Sequence, residues 1–352
     1  MANFTPIVVS KPKRNWRKFI IIFVVAAGVV IGGYYLYQYY LKRQAELMHK
    51  AQSIGLIAAN NSAFLTLSSD SKNLYFLDEF DNTLWKQSLV QMDQEPEEIA
   101  KLDFIAEGEE IIDLRWSSDK TKVYITTLSI GTKTYYFDIA SKKENLLDDR
   151  ILDIDFLGDG AIYIFNDDNE KTIAKSNYDG SGWENLKNIG EQYYMLVVSP
   201  DSKKVALWGL GEIGQKRLAI YNLETEQLAE TEEGIVNFVK FSPDSTKVLY
   251  IISDTGRLYI SDLAGQKTDL NVTAYLDQFA WADNANIVYV SYAKEKAGNA
   301  YNFYKKNIAD GKPTKINREG EAELDDPDNM IVIDSGKALF YTTKGEILTL
   351  SL

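Results

Sequence analysis

A β-strand unit that recurs seven times and one long apolar segment near the N-terminus predict the fold class of this chain. The units follow one another after residue 54, with a mean spacing of about 44 residues. The apolar segment lies at residues 19–37 and carries no charge. Repeats of this length that contain several strands are typical of propeller blades. The sequence therefore predicts an all-β, seven-bladed β-propeller preceded by a single N-terminal transmembrane α-helix.

Each unit consists of an apolar strand, a tight turn that ends in aspartate, and a second apolar strand. Three copies show this most clearly: RWSSDKTKVYITT, VVSPDSKKVALWG and KFSPDSTKVLYII. Proline fits the first central position of a type I turn and aspartate the second, so we expect the aspartates to have structural roles. The seven turn aspartates are Asp70, Asp119, Asp159, Asp201, Asp244, Asp283 and Asp334.

The last unit is shorter than the others and has no segment for an outer fourth strand. Residues 54–59 (IGLIAA), which precede the first unit, form a surplus apolar segment. We expect this segment to complete the last blade, which would leave fewer free strand edges in the propeller.

The apolar segment (FIIIFVVAAGVVIGGYYLY) is long enough to cross a bilayer, because 19 helical residues span about 28 Å. Five basic residues precede it and three follow it, so the positive-inside rule places the N-terminus in the cytoplasm. The predicted organisation is a basic cytoplasmic tail (1–18), a transmembrane helix (19–41), a helical juxtamembrane stalk (42–53) and an extracytoplasmic propeller (54–352).

Two further interpretations of the apolar segment stay open. The segment could be a signal peptide cleaved near Gly32 or Gly33, although no clear small-residue cleavage site follows it. Gly28 and Gly32 form a G-x-x-x-G pair, which would let two membrane helices pack closely in a homodimer.

Composition excludes several classes of chemistry. Residues 54–352 hold 30 basic and 50 acidic residues, and a domain this acidic repels nucleic acid. The chain contains no cysteine, which removes disulfides, zinc–thiolate sites and thiol nucleophiles. Its one histidine, His49, precedes the propeller, so the propeller has no Ser–His or Cys–His catalytic pair.

The segments SSDK, SPDSKKVALWG, SPDSTKVLYI and YDGSGWENL resemble the repeats of the WD-repeat-like, TolB-like β-propeller family. The resemblance covers roughly residues 60–345, and the third and seventh units depart from it because they lack Ser-Pro. It implies the propeller fold and a role in scaffolding, ligand binding or as a non-catalytic partner of peptidase domains. The chain has no G-x-S-x-G nucleophile motif.

Charged residues recur at one offset of the innermost strands. The positions six residues before the turn aspartates are Phe64, Asp113, Asp153, Met195, Phe238, Asp277 and Asp328. Arg115, Asp155 and Lys240 lie two residues further on, on the same strand face. We therefore predict a ligand- or partner-binding charged ring at one mouth of the channel, formed by Asp113, Arg115, Asp153, Asp155, Lys240, Asp277 and Asp328.

Such a ring would hold a basic partner or a cation, and oxygen ligands alone would suit Ca²⁺. The alternative is that these residues only end the innermost strands, where polar groups meet water in the channel. No catalytic residue and no organic cofactor is predicted.

These observations favour a membrane-anchored protein-binding or scaffolding module at the cell envelope, without enzymatic activity. Its expected partners are membrane lipid around the helix and an envelope protein or peptide on the propeller. The alternative is an envelope enzyme, a polysaccharide lyase or hydrolase, that uses carboxylates facing the channel.

Overall fold

The computed structural model describes residues 62–352 except 93, 168–169, 210–216, 234–235, 253–254, 275–277, 296–297, 310, 317–326, 334–337 and 344–345. The predicted tail, transmembrane helix, stalk and closing segment 54–59 therefore lie outside the described residues, as does the G-x-x-x-G pair. Within the described part of the chain, no helix combines the length and the apolar character that crossing a bilayer requires.

The described residues form sheets of antiparallel strands that pair in chain order. Blade 1 contains β1 (Ser62–Leu67), β2 (Asn73–Asp78), β3 (Thr83–Ser88) and β4 (Glu97–Lys101). Blade 2 contains β5 (Glu110–Trp116), β6 (Lys122–Leu128), β7 (Thr132–Asp138) and β8 (Lys143–Leu146). Blade 3 contains β9 (Ile151–Leu157), β10 (Gly160–Asp167), β11 (Glu170–Ser176) and β12 (Glu184–Asn188).

The second half of the chain continues the same pattern. Blade 4 contains β13 (Met195–Val198), β14 (Lys204–Trp208), β15 (Arg217–Asn222) and β16 (Gln227–Glu233). Blade 5 contains β17 (Val236–Phe241), β18 (Lys247–Ile252), β19 (Arg257–Asp262) and β20 (Lys267–Thr273). Blade 6 contains β21 (Phe279–Trp281), β22 (Asn286–Glu295), β23 (Gly298–Asn307) and β24 (Thr314–Lys315). The C-terminal sheet has three strands, β25 (Pro327–Ile333), β26 (Ala338–Thr343) and β27 (Glu346–Ser351).

The structure therefore shows an all-β propeller with six complete four-stranded blades, whereas the sequence predicted seven. The seventh repeat unit forms the C-terminal sheet, which has no fourth strand among the described residues. After β26 the described residues supply one strand, β27, and the segment predicted to supply the outer strand, 54–59, lies outside the described residues.

Apolar side chains between neighbouring sheets hold the ring together. One cluster joins blades 1 and 2, for example, through Leu84 and Ile125, both of which are fully buried. Similar clusters join each following pair, and the ring closes where Leu65 and Phe76 of blade 1 pack against Phe340 and Ile347 of the C-terminal sheet. Each such side chain contributes about 1.5–3 kcal/mol by burial, so the interfaces between blades supply much of the stability.

The predicted turns link the first and second strands of the blades. In blades 1, 2, 4 and 5 a serine hydroxyl donates a hydrogen bond of 2.6–2.7 Å to the turn aspartate two residues later. The residue after that aspartate has a left-handed backbone, with φ of 55–59°, at Ser71, Lys120, Ser202 and Ser245. These four turn aspartates therefore have the structural role that the sequence predicted.

Candidate functional site in the channel and on the hairpin face

Arg115 connects the innermost strands of three successive blades. Because side chains alternate along β5, Arg115 and Asp113 lie on the same strand face, and Arg115 Nε donates to Asp113 Oδ2 at 2.8 Å. Arg115 Nη2 lies 2.8 Å from Asp153 Oδ1 on β9. Arg115 Nη1 donates to the carbonyl oxygens of Ile154 at 2.7 Å and of Leu196, in blade 4, at 3.1 Å. All three guanidinium nitrogens therefore make contacts within the protein.

The two carboxylates of β9 also reach the next blade. Asp153 Oδ2 accepts a hydrogen bond of 2.7 Å from the Leu196 amide, and Asp155 Oδ2 accepts one of 2.8 Å from the Val198 amide. Both pairs are separated by 43 residues, about one repeat. Asp153 and Asp155 therefore connect blade 3 to blade 4 through hydrogen bonds from their side chains to the backbone of β13.

Burial and the ion pairs act in opposite directions on the pKa values of this cluster. Burial raises the pKa of Asp153 to about 6, although Arg115 acts in the opposite direction and the neighbouring Asp113 carboxylate adds to the increase. Burial raises the pKa of Asp155 as well, again against Arg115. Burial acts to lower the pKa of Arg115, but the surrounding carboxylates, Asp153 first, outweigh it and the pKa is raised.

Lys240 makes a separate contact on the other side of the ring. Its Nζ donates to the Phe279 carbonyl oxygen at 2.7 Å and lies 4.9 Å from the centre of the Phe279 ring. In return, Trp281 Nε1 donates to the Lys240 carbonyl oxygen at 3.1 Å. These bonds join blades 5 and 6, as the Arg115 cluster joins blades 2, 3 and 4.

The structure thus brings together four of the seven predicted ring residues, Asp113, Arg115, Asp153 and Asp155. Lys240 is bonded elsewhere, Asp277 lies outside the described residues, and Asp328 lies on β25 without a described side chain. No group of three or more acidic or histidine side chains in the described ranges has the arrangement of a metal site. The Arg115 guanidinium lies between Asp113 and Asp153 and already supplies their positive charge, so these carboxylates do not fit the predicted Ca²⁺ site.

Two phenylalanines at the same offset have an unusual backbone. Phe64 on β1 and Phe238 on β17 have φ of 52° and 51°, at bulges in the pairing of these strands with their neighbours. A bulky residue rarely adopts this conformation, which costs roughly 1–2 kcal/mol. Phe64 packs in the cluster between blades 1 and 2, whereas Phe238 is 39% exposed. The sequence analysis identified both residues by their position six residues before a turn aspartate, but nothing in the sequence indicated the bulges.

Exposed apolar side chains gather on one side of the propeller, which we call the hairpin face. It carries the starts of the innermost strands and the loops between the second and third strands of each blade, which lie together because the strands are antiparallel. The opposite side carries the aspartate turns, and we call it the turn face. Of eleven large apolar side chains exposed among the described residues, seven lie on the hairpin face: Phe80, Ile112, Leu128, Ile130, Tyr194, Met195 and Phe238. Sequence reasoning missed this surface.

Comparison with known proteins supports the fold. No protein-family model matches the chain, and no curated protein matches it in sequence. The chain is similar to the β-propeller domain of Myceliophteria thermophila Cps50 (Swd1), with a TM-score of 0.57, 13% identity, and coverage of 84% of this chain and 99% of that domain. The fold is a β-propeller. At this identity, the similarity extends to the fold alone.

Two other solved structures share less with the chain. TolB from Acinetobacter baumannii has a TM-score of 0.48 and 16% identity, over 62% of this chain and 56% of that one. The tricorn protease has a TM-score of 0.44 and 14% identity, over 80% of this chain and 28% of that one. The chain therefore matches about half of the TolB structure and less than a third of the protease.

Proposed function

We propose that this chain is a non-catalytic, membrane-anchored β-propeller that binds a protein or peptide partner on its hairpin face, outside the cytoplasm. The observation that carries the proposal is the collection of seven exposed apolar side chains on that face. Exposed apolar patches on soluble domains usually mark interaction sites, because leaving them in water is unfavourable.

The contacts of the charged residues in the channel support a structural role for these residues and not a catalytic one. Arg115, Asp153, Asp155 and Lys240 all bond to a neighbouring blade. A glycosidase needs one carboxylate that either attacks the sugar or activates a water molecule, and a second carboxyl group that donates a proton to the leaving group. Asp153 and Asp155 instead accept backbone hydrogen bonds on both of their oxygens. We therefore propose no enzymatic activity.

The anchor and the closure of the ring are part of the same proposal. The uncharged segment 19–37 and its basic flanks support a membrane helix with a cytoplasmic N-terminus. Residues 54–59 precede β1 by two residues in the sequence, and β1 contacts the C-terminal sheet, so we propose that these residues pair with the edge of β27 and complete a seventh blade.

Site-specific photo-crosslinking of the full chain in its native host tests the docking face. A photoreactive amino acid replaces Ile130 or Phe238 on the hairpin face, or Val90, which is 70% exposed, on the turn face. We expect one discrete protein adduct from both hairpin-face positions and none from Val90. Equal adducts from all three positions, or none from the hairpin face, would refute the proposal.

Alkaline extraction of membranes tests the anchor. A transmembrane helix keeps the full chain in the membrane pellet, and protease added outside intact cells should digest the propeller while sparing the N-terminal tail. Release of the whole chain by alkali, or protection of the propeller, would refute the proposed anchor or its orientation.

A further inference from the structure

The part of the hairpin face formed by blades 1 and 2 combines exposed apolar side chains with a strong negative charge. We define this acidic–apolar sector by residues 79–82, 101–113 and 128–133, all of which the structure describes. Phe80, Ile112, Leu128 and Ile130 are exposed in it, and Phe80 is 83% exposed. Together these ranges hold seven acidic and two basic residues.

Direct contacts join the three segments into one surface. The Leu102 amide donates to the Asn82 carbonyl oxygen at 2.9 Å, which ties the segment before β5 to the loop after β2. Glu109 forms an ion pair with Lys133 and accepts hydrogen bonds from Thr127 and Tyr135, which ties the same segment to the β6–β7 hairpin. The surface is therefore preformed, which reduces the entropy that these segments would lose when a partner binds.

A packed core supports the sector from below. The Phe104 ring lies 5.4 Å from the Tyr135 ring and 5.3 Å from the Phe137 ring, and Leu102 and Ile105 are buried in the same cluster. The backbone that carries the exposed apolar side chains is consequently held in place by this core, as it is for the anchoring residues of protein interfaces.

The charge of the sector limits what it can bind. Both basic residues already have partners, since Lys133 pairs with Glu109 and Lys101 lies 3.8 Å from Asp103. The acidic side chains of Glu107 and Glu110 are exposed beside the apolar ones, and Glu110 pairs across the strands with Leu128. A surface with this excess of carboxylates repels anionic lipid headgroups and nucleic acid but attracts cationic side chains.

From this we infer that the acidic–apolar sector binds a peptide segment that carries lysine or arginine together with large apolar side chains. This inference rests on the proposed function and names the chemistry of its partner. The apolar residues of the segment contact Phe80, Ile112, Leu128 and Ile130, while its cations pair with the carboxylates around them. In such a complex, charge complementarity supplies specificity and a faster association rate. Burial of the apolar side chains supplies most of the affinity.

Peptide binding to the full chain in nanodiscs of zwitterionic lipid tests the inference by fluorescence anisotropy, with empty nanodiscs as the blank. The probes are a short labelled peptide of lysine, leucine and tryptophan, a second with glutamate for lysine, and a third with serine for leucine and tryptophan. We expect the first to bind at least about tenfold more tightly than either of the others.

Matched variants locate the binding site. Glu107→Lys combined with Glu110→Lys, and separately Leu128→Ser combined with Ile130→Ser, should each weaken binding of the first peptide about tenfold. Glu144→Lys on the outer strand β8 and Val90→Ser on the turn face should leave it unchanged. Thermal unfolding of each variant confirms that it is folded.

The outcomes separate this inference from the proposed function. Equal binding of the first and third peptides, equal weakening by the control variants, or binding of anionic vesicles by the wild-type sector would overturn the inference. If Phe238 still crosslinks a protein while the first peptide fails to bind, the inference is wrong and the proposed function stands. If neither hairpin-face position crosslinks a protein, both are wrong.

Discussion

Arg115 Nη2 lies 2.8 Å from Asp153 Oδ1, and this ion pair joins the innermost strands of blades 2 and 3. The Arg115 side chain is 19% exposed and that of Asp153 is 9% exposed, so the pair is largely withdrawn from water. Both partners also bond to Leu196 of blade 4. The charges at the centre of the propeller are therefore paired with one another and with the backbone of blade 4.

Arg115→Ala should strongly destabilise the protein. The substitution leaves the buried Asp153 without its counter-ion and leaves two carbonyl oxygens without a donor, so we expect a loss of about 3–5 kcal/mol in the free energy of unfolding. Urea unfolding of the full chain in a nonionic detergent, followed by tryptophan fluorescence, measures this.

Arg257→Ala is the matched control for that measurement. Arg257 pairs with Asp269 at 3.1 Å, but both side chains are substantially exposed, so its loss should cost about 1 kcal/mol or less. Equal losses for the two variants would show that the Arg115 cluster does not hold the blades together.

Asp153 should give the stability of the protein a distinct pH dependence. Its pKa is raised by burial to about 6, above the value of about 3.9 for an unfolded aspartate, so between these values the folded state holds a proton that the unfolded state has released. The contribution of this carboxyl to stability is therefore greatest below pH 4 and is lost as the pH rises through 6.

Comparison with Asp153→Asn isolates this contribution, because the amide does not titrate. The stability of the wild type relative to the variant should fall by about 2–3 kcal/mol as the pH rises from 4 to 7. Urea unfolding at several pH values measures it. An advantage of the wild type that grows with pH would mean that Arg115, and not burial, dominates the pKa of Asp153.

Replacing serine by glycine should have opposite effects on stability at two of the turn positions with a left-handed backbone, Ser202 and Ser245. Glycine adopts positive φ without strain, so Ser202→Gly should raise the free energy of unfolding by about 0.5–1 kcal/mol. Ser245→Gly relieves the same strain but removes the hydroxyl that accepts a 3.0 Å hydrogen bond from the Asp201 amide, which costs about 1–3 kcal/mol.

Thermal or urea unfolding of the two variants therefore separates backbone strain from the contact between turns. We expect Ser202→Gly to be more stable than the wild type and Ser245→Gly to be no more stable than it. Equal stabilisation by both substitutions would show that the bond between blades 4 and 5 contributes nothing.

Phe238 should show a conflict between stability and binding. Its φ of 51° is unfavourable for a bulky side chain, and its ring is partly exposed on the hairpin face, so Phe238→Gly should stabilise the fold by about 1 kcal/mol. The same change should reduce crosslinking of the partner from position 130. A variant that is less stable than the wild type would show that the backbone of Phe238 is not strained. A variant that keeps full crosslinking would show that the Phe238 ring does not contribute to docking.

The repeat unit predicted the fold well because its signals are local. Serine, aspartate and the following apolar strand act within a few residues, so the turns at Asp119, Asp201 and Asp244 could be located from their own neighbours. The number of complete blades was harder to predict, since the closure that we propose for the last one needs pairing between segments at opposite ends of the sequence.

The candidate site was less predictable because it depends on contacts between blades. Equal spacing placed Asp113 and Asp153 at one height, but only the structure shows that Arg115 lies between them and that Asp153 reaches Leu196. The hairpin face was missed for a related reason. Its apolar residues come from loops and bulges of different blades, and no single stretch of sequence collects them.

Photo-crosslinking from position 130 in three backgrounds tests most directly the division between a structural channel and a binding face. The backgrounds are the otherwise wild-type chain, Arg115→Met combined with Asp153→Leu, which replaces the buried pair by apolar side chains, and Ile112→Ser combined with Leu128→Ser. We expect the first two to give the same protein adduct in similar yield and the third to lose it while remaining folded. Loss of the adduct in a folded channel variant, with full yield in the face variant, would contradict the account.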